Sequence, residues 1–425
     1  MKGESHMSAI GVDLGDDHAD ITSHDTFVAG VPYATFDRLR REDPVSWWEE
    51  ADGRGFWAVT RYEDVVGASR RPELFSSARG IRLEDMDDEE LAARRTLMEM
   101  DPPEHTRYRR LVSRAFTRKS VLAYEDAIRA LARQVLDEAH GTSVLDFTEL
   151  VARQLPMRML GRLLGLPEED SDWLVRHGDA LIANSDPDFT DYVVDQVDTS
   201  DYRLLPFRSP VALELIGYGR EAFEARRRHP GDDLLSALLA PMPDGERLDD
   251  AELANFFTLL VAAGNDTTRY TMAASMKALA ERPELREELG AEPARLPVAV
   301  EELLRWASVT MHFRRTATTD TELGGRRIRA GDKVVLWFVA ANYDPEQFPD
   351  PYRLDPGRTP NDHVTFGLKS PHLCLGAHLA RMELRVLLEE LLSRVETVEL
   401  AGPPERLRSN FIAGIKHLPV EIGWR

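Results

Sequence analysis

Through the middle and later chain, apolar positions return at the three- and four-residue offsets of a single helix face. Tyr124, Ala127, Ile128, Leu131 and Val135 form one such stripe, and their spacing predicts a helix. Alternating strand patterns are few. "VSWWEE" and "GFWAVTRY", joined by "ADGR", predict a hairpin near the N-terminus, and "TELGGRRIRAGDKVVLWFVA" predicts short strands separated by glycine turns. A mainly α fold with minor β structure follows. From Asn342 to Asp362, "NYDPEQFPDPYRLDPGRTPND" carries too much proline for a helix or a central strand, and loops of that length are uncommon unless functional.

The longest apolar runs, "FFTLLVAAG" and "VVLWFVAAN", fall far short of the roughly 20 residues that cross a bilayer. The first residues contain no apolar stretch of signal-peptide length. We therefore expect a cytoplasmic protein without a membrane partner, a monomer whose residues 1–25 are disordered or tag-derived and whose residues 26–425 form one domain. A net charge of -21 argues against nucleic acid as a partner. One segment breaks the acidic pattern: "HTRYRRLVSRAFTRK", residues 105–119, holds Arg107, Arg109, Arg110, Arg114, Arg118 and Lys119 with no acid among them. Such a patch is either a steering site or a solvated helix face. The acidic run "LEDMDDEEL", residues 83–91, reads as a solvated loop or helix start.

Cys374 is the only cysteine in 425 residues, so it has no internal disulfide partner. It precedes "GAHLARMELRVLLEELLSR", which has the pattern of a long amphipathic helix. N–H groups at a helix N-terminus favour the thiolate, the form of cysteine that binds a metal. A lone buried cysteine is more often a small apolar filler, so its surroundings decide.

Those surroundings resemble the cytochrome P-450 family. In "FGLKSPHLCLG", Phe366 and Gly367 precede Cys374 and Gly376 follows it, as in that family's haem-binding signature. "EELLR" places Glu302 and Arg305 three apart on one helix face, as in its E-x-x-R motif, and Arg358 matches the third member of its ion-paired triad. "AAGNDTT", residues 262–268, matches the oxygen-activating stretch of its long central helix. An E-x-x-R spacing by itself is usually a surface pair worth a few tenths of a kcal/mol; the joint occurrence of these motifs, in this order, carries the resemblance over roughly residues 30–425. One departure stands out. Phe366 lies eight positions before Cys374 where the family usually has seven, and Ser370 stands where it has a glycine four before the cysteine. The loop must therefore turn differently, with the extra residue and Pro371 as the available means, and a lengthened loop resembles certain bacterial steroid and terpene oxidisers.

The resemblance implies a triangular helical haem fold with small β-sheets and a monooxygenase that uses haem b with Cys374 as the iron ligand. It maps the propionate cations onto His105, Arg109, Arg315 and His372. It makes Asp266 and Thr267 the proton-delivery pair, with Ala263 and Gly264 leaving room for O2 and an apolar substrate. Helical geometry puts Leu260, Ala263, Gly264 and Thr267 on one face, and Thr267 can bond back to the carbonyl of Ala263 and open the helix locally. The alternative for Asp266 is a plain surface acid on the opposite face. The resemblance also places substrate contacts in residues 76–100 and 175–215, in the central helix, in "VTMHF" and in "NFIAG", which nominates Phe256, Ala263, Val309, Met311, Phe313, Phe411 and Ile412. His312 reads as a rim histidine facing water, with orientation of a substrate oxygen as its alternative. The chain has no G-x-G-x-x-G fingerprint and no cysteine cluster, so electrons must arrive from outside. A ferredoxin-type donor is implied, docking on Arg110, Arg114 and Lys119. Rival readings keep the fold but carry out coupling or desaturation, or bind haem without turnover. Terpenoid, steroid and natural-product substrates all remain open.

Overall fold

Asp249 begins the longest helix of the protein. Its side chain accepts hydrogen bonds from the N–H groups of Ala251 and Glu252, and Glu252 reaches back to the N–H of Asp249. This reciprocal cap satisfies donors that the first helical turn otherwise leaves unpaired. The helix runs unbroken from Asp250 to Glu281 and buries side chains all round, among them Leu253, Phe257, Val261, Met272 and Leu279. A helix apolar on every side belongs in the middle of a protein. Here it packs against the helices Gln154–Leu164, Ser171–Ile182, Val211–Arg228, Leu296–Ala307 and Ala377–Arg394.

The computed structural model describes residues 14–50, 53–242 and 244–425. The helix expected from the stripe beginning at Tyr124 spans Glu125–Ala139, and Ile128, Leu131 and Val135 face the core. The predicted hairpin pairs Val45–Trp48 antiparallel with Phe56–Val59. It enters a five-stranded sheet ordered Val45–Trp48, Phe56–Val59, Lys333–Trp337, His312–Ala317 and Phe75–Ser76, whose second and third strands are parallel. Three smaller sheets complete the β structure among the described residues. The fold is mainly α with minor β, as the patterning predicts.

Residues 343–362 form a long loop without helix or strand, yet Tyr343 and Phe348 within it are buried. The chain expected to lack structure up to residue 25 takes up its place earlier. Ile21 is fully buried, Thr35 Oγ1 donates to the carbonyl of Asp16, and Asn410 Nδ2 donates to the carbonyl of Thr22. An apolar anchor and satisfied carbonyls hold residues 14–25 against the body; residues 1–13 lie outside the described residues. Among the described residues no helix is long and apolar enough to cross a membrane.

Candidate functional site

The cysteine loop closes on itself. The N–H of Cys374 donates to the carbonyl of Phe366 at 2.8 Å, and the N–H of Leu373 donates to the carbonyl of Ser370 at 3.0 Å. The extra residue changes where the chain bends. Gly367 has φ +73° and Lys369 has φ +58°, so the left-handed positions flank residue 368 and Ser370 is not one of them. At Lys369 that conformation costs roughly 1–2 kcal/mol, because a side chain is present. The helix Ala377–Arg394 starts three residues after the cysteine. The surface that Cys374 exposes faces an internal cavity. Burial pushes its thiol up, while the N–H of Gly376 and the cations Arg109 and Arg381 pull it down. A metal ion bound at the sulfur deprotonates a thiol outright.

Across the cavity stands the central helix. Leu260, Ala263, Gly264 and Thr267 all line the space, as their shared face predicts. An added Cβ at Gly264 would come within 2.9 Å of Leu160 Cδ2, so the Leu160 side chain would have to give way. Thr267 Oγ1 donates to the carbonyl of Ala263 at 3.3 Å, but the helix continues through this turn without the expected local opening. Asp266 points the other way and is fully buried, so it is not a surface acid. It lies 2.8 Å from Arg269, which also reaches Asp179 at 2.6 Å. Neither carboxylate oxygen of Asp266 accepts a well-aligned hydrogen bond, and burial raises its pKa against the pull of Arg269.

One end of the cavity gathers two arginines and two histidines. His105 and Arg109 come from the helix Glu104–Ser113, Arg315 from a strand of the larger sheet and His372 from the cysteine loop. The rings of His105 and His372 lie 4.3 Å apart, and both nitrogens of the buried His105 lack a hydrogen-bond partner among the described residues. Among the described residues the Arg315 side chain donates only to the carbonyl of Arg314. Burial and the neighbouring Arg109 lower His105 to about 4; burial and Arg315 lower His372 to about 2. Four donors crowd together with Asp101 the one acid acting on the group. Such a cluster is built for anions from outside the chain. The two carboxylates of haem b match it, the apolar walls match its ring, and Cys374 would supply a sulfur ligand to its iron. The residues present fit the group.

Two further side chains share this space and carry no signal in the sequence. Ser77 Oγ lies 3.2 Å from His372 Nε2 and fixes that ring. Glu383 opens to the cavity from the helix after the cysteine, and burial holds its carboxyl well above the usual range. Its place in an amphipathic helix reads as an ordinary polar position.

The ion-paired triad forms. Glu302 accepts from Arg305 Nε and Nη2 at 2.8 Å each and from Arg358 Nε at 3.1 Å; the N–H of Asp355 and Asn361 Nδ2 also donate to it. These bonds tie the helix Leu296–Ala307 to the proline-rich loop. Its neighbour Glu301, absent from the sequence reading, binds Arg381 Nε at 2.7 Å and His363 Nε2 at 3.1 Å. Arg381 in turn lies over the ring of Phe366, 4.5 Å from its centroid. Adjacent glutamates thus hold the loop before the cysteine and the helix after it.

Of the residues nominated for substrate contact, Phe256, Ala263, Val309, Phe313, Phe411 and Ile412 line the cavity. Met311 does not. It is fully buried in a separate cluster with Val335 and Trp337, held there by backbone hydrogen bonds of its N–H to the Phe411 carbonyl and of the Val339 N–H to its own carbonyl. His312 is likewise no rim residue: it is 1% exposed, wedged between Trp337 and Phe411, and burial lowers it to about 3. Residues 76–100 contribute Ile81, Arg82, Leu97 and Met98, and residues 175–215 contribute Ile182 and Phe207.

The basic segment divides. Arg107 is neutralised by Asp244 and Glu246, whereas Arg110, Arg114 and Lys119 are exposed and have no acidic partner among the described residues.

Comparison with known proteins agrees with this geometry. The family model for cytochrome P450 matches residues 207–420. A methyl-branched lipid omega-hydroxylase of Mycobacterium tuberculosis (strain ATCC 25618 / H37Rv) is 38% identical over 395 residues, covering 91% of this chain and 90% of that protein. A linalool 8-monooxygenase of Pseudomonas putida is 35% identical over 412 residues, covering 95% of this chain and 98% of that one. Among solved structures, a Mycobacterium marinum cytochrome P450 in complex with pseudoionone superposes with a TM-score of 0.83 at 38% identity, covering 98% of this chain and 99% of that one.

Proposed function

The chain belongs to the cytochrome P450 family and is a haem-dependent monooxygenase of the bacterial type; from that premise we propose that it hydroxylates an apolar lipid, steroid or terpenoid skeleton with electrons from a ferredoxin and its reductase. One atom of O2 enters a C–H bond of the substrate and the other leaves as water, with two electrons and two protons closing the balance. Cys374 would hold haem b, with His105, Arg109, Arg315 and His372 at its carboxylates, and the bound group would supply cleavage of the O–O bond and an oxidant strong enough for unactivated C–H bonds.

The chain's own residues do the rest. Ala263 and Gly264 keep the central helix from filling the space opposite Cys374. The Thr267 hydroxyl presents a proton to that space, and the Asp266 carboxyl, one residue away in a buried ion cluster, resupplies it. Phe256, Val309, Phe313, Phe411 and Ile412 exclude water and orient an apolar skeleton. Glu302, Arg305 and Arg358 keep the cysteine loop rigid. The unpaired Arg110, Arg114 and Lys119 receive an acidic donor. The same reading has the enzyme working as a cytoplasmic monomer, where a lone thiol stays reduced.

The observation that carries the proposal is that the small-residue face of the central helix and Cys374 line one cavity, together with the donor cluster of His105, Arg109, Arg315 and His372. For the substrate class, the support is that relatives of this similarity are named for a methyl-branched lipid and for linalool. The test begins with the absorption spectrum of the reduced, CO-bound protein, which must have the Soret band of a thiolate-ligated haem and lose it in Cys374→Ser. Turnover with isotopically labelled O2, a ferredoxin system and a panel of apolar lipids must then place one labelled atom in the product. A normal band in Cys374→Ser, or unlabelled product, overturns the proposal.

A further inference from the structure

Besides the two arginines and two histidines gathered at one end, the cavity that Cys374 lines has two charged side chains among the described residues, Glu383 and Arg82. The Arg82 side chain is 14% exposed and lines both the main cavity and a smaller annex that continues from it. Its guanidinium packs on two rings, 5.1 Å from the centroid of Phe411 and 5.7 Å from that of Phe207. Phe207 keeps its place there with φ +58°, and Arg208 after it with φ +50°. Two successive residues with side chains in the left-handed region are costly, and such strain persists only where the surroundings enforce it.

With rings against it, the guanidinium has only its edge left for polar contacts. No acceptor among the described residues takes a hydrogen bond from it. Among the described residues its one ion-pair partner is Glu84, at 3.4 Å, well beyond the 2.7–2.9 Å of a charge-assisted hydrogen bond. The annex also holds Arg94, whose carboxylate partner Glu90 stands 3.9 Å away and binds Arg208 more closely, at 2.7 Å. Burial works to raise Glu84, but Arg82 and the cations around it bring it down to about 2, so it is ionised. Glu99, the other acid lining the annex, already accepts from the N–H and the hydroxyl of Thr96. Arg82 and Arg94 thus line the annex with no carboxylate among the described residues in close hydrogen-bonded contact with either. A guanidinium taken out of water without a bidentate partner is expensive, and a planar fork of donors matches a carboxylate best.

We propose that Arg82 receives the carboxylate of an amphipathic substrate, an apolar acid whose hydrocarbon part extends from the annex into the cavity opposite Cys374. This deepens the substrate class and rests on the reading of that cavity as the substrate site. It makes Arg82 a specificity-determining residue and gives the enzyme a reason to oxidise such a molecule far from its acid group, since the charged end is anchored at Arg82 and the apolar end lies towards Cys374.

Equilibrium dialysis of the haem-loaded protein with dodecanoate and with methyl dodecanoate tests the assignment without turnover. The two probes share a chain and differ in charge. Wild type binds the acid more tightly than the ester. Arg82→Gln weakens the acid about tenfold or more and leaves the ester unchanged, Arg82→Lys retains part of the preference, and Glu84→Gln, by removing the competing carboxylate, tightens the acid. Equal affinity of wild type for acid and ester, no binding of the acid, or an Arg82→Gln effect equal for both probes overturns the proposal. The reduced, CO-bound spectrum of each variant is recorded first. Its loss in wild type refutes the monooxygenase reading, whereas an intact spectrum with no acid preference refutes only the role of Arg82.

Discussion

Arg269 lies 2.8 Å from Asp266 and 2.6 Å from Asp179, and all three side chains are sealed from solvent at the back of the central helix. Arg153 joins the same cluster through Asp179 at 2.5 Å. Asp266 is therefore adjacent in sequence to the cavity-lining Thr267 while its carboxyl is held away from the cavity by an ion pair. To deliver a proton it must turn from Arg269, and its partners set how readily it does. Asp266→Asn keeps the shape and removes the proton. We expect turnover to fall at least about a hundredfold, within the usual range for loss of a general acid, with haem content and the reduced, CO-bound spectrum unchanged. Steady-state rates with a ferredoxin system check this; turnover within about twofold of wild type would sink the role.

Glu302 is the hub of a buried network, fully enclosed and accepting from two arginines, an asparagine and a backbone N–H. Removing the carboxylate leaves Arg305 and Arg358 buried without their counter-charge. Breaking such a pair by deleting one partner costs about 3–5 kcal/mol. Glu302→Ala is expected to lose that much in urea unfolding and to be purified with little haem, since the loop it pins leads into Cys374. A variant with normal stability and full haem content would contradict the structural role.

Glu301 makes acid stability measurable. Burial works to raise its carboxyl, but His363 and Arg381 outweigh it and lower it from 4.5 to about 2. A depressed carboxylate stabilises the fold fully above its unfolded pKa and loses that contribution as pH falls through the folded value. The window is therefore roughly pH 4.5 down to 2, and the contribution is on the order of 3 kcal/mol as an upper bound, discounted because the side chain is 29% exposed. Glu301→Gln should be less stable than wild type near neutrality, and the difference should shrink towards pH 2. A gap between the two that does not change with pH would contradict the assignment.

Local spacing made Glu302 and Arg305 legible, since three residues on one helix face define the pair. Glu301, one residue away, escaped because its partners Arg381 and His363 are 80 and 62 residues distant and are brought to it only by folding. The same division runs through the cavity. Leu260, Ala263, Gly264 and Thr267 follow from helical geometry, but Arg82 and Phe207 come from irregular segments and meet through tertiary packing. Met311 and His312 show a third kind of limit. Alternation says that neighbours in an extended segment face opposite ways, yet which way is inward depends on the strand Lys333–Trp337 laid beside them. At the cysteine loop, the motif located Cys374, while the shift of the bend to Lys369 followed from an extra residue whose effect on φ no spacing rule specifies.

The exposed cations of the segment 105–119 offer a test that separates association from chemistry. Arg107 is already balanced by Asp244 and Glu246, so its replacement should matter little to a partner, whereas Arg110, Arg114 and Lys119 project unpaired charge from a protein of net charge -21. Long-range attraction between such a patch and an acidic donor raises the rate of encounter and is screened beyond about 8 Å at physiological ionic strength. Reversing Arg110 and Arg114 to glutamate should slow reduction by ferredoxin about tenfold or more at low salt, and the gap from wild type should close as salt is added. Stopped-flow reduction across a salt series checks both halves. Because these positions lie outside the cavity, dithionite reduction and ligand binding should be unaffected. An unchanged rate at low salt would mean that electrons enter through another face.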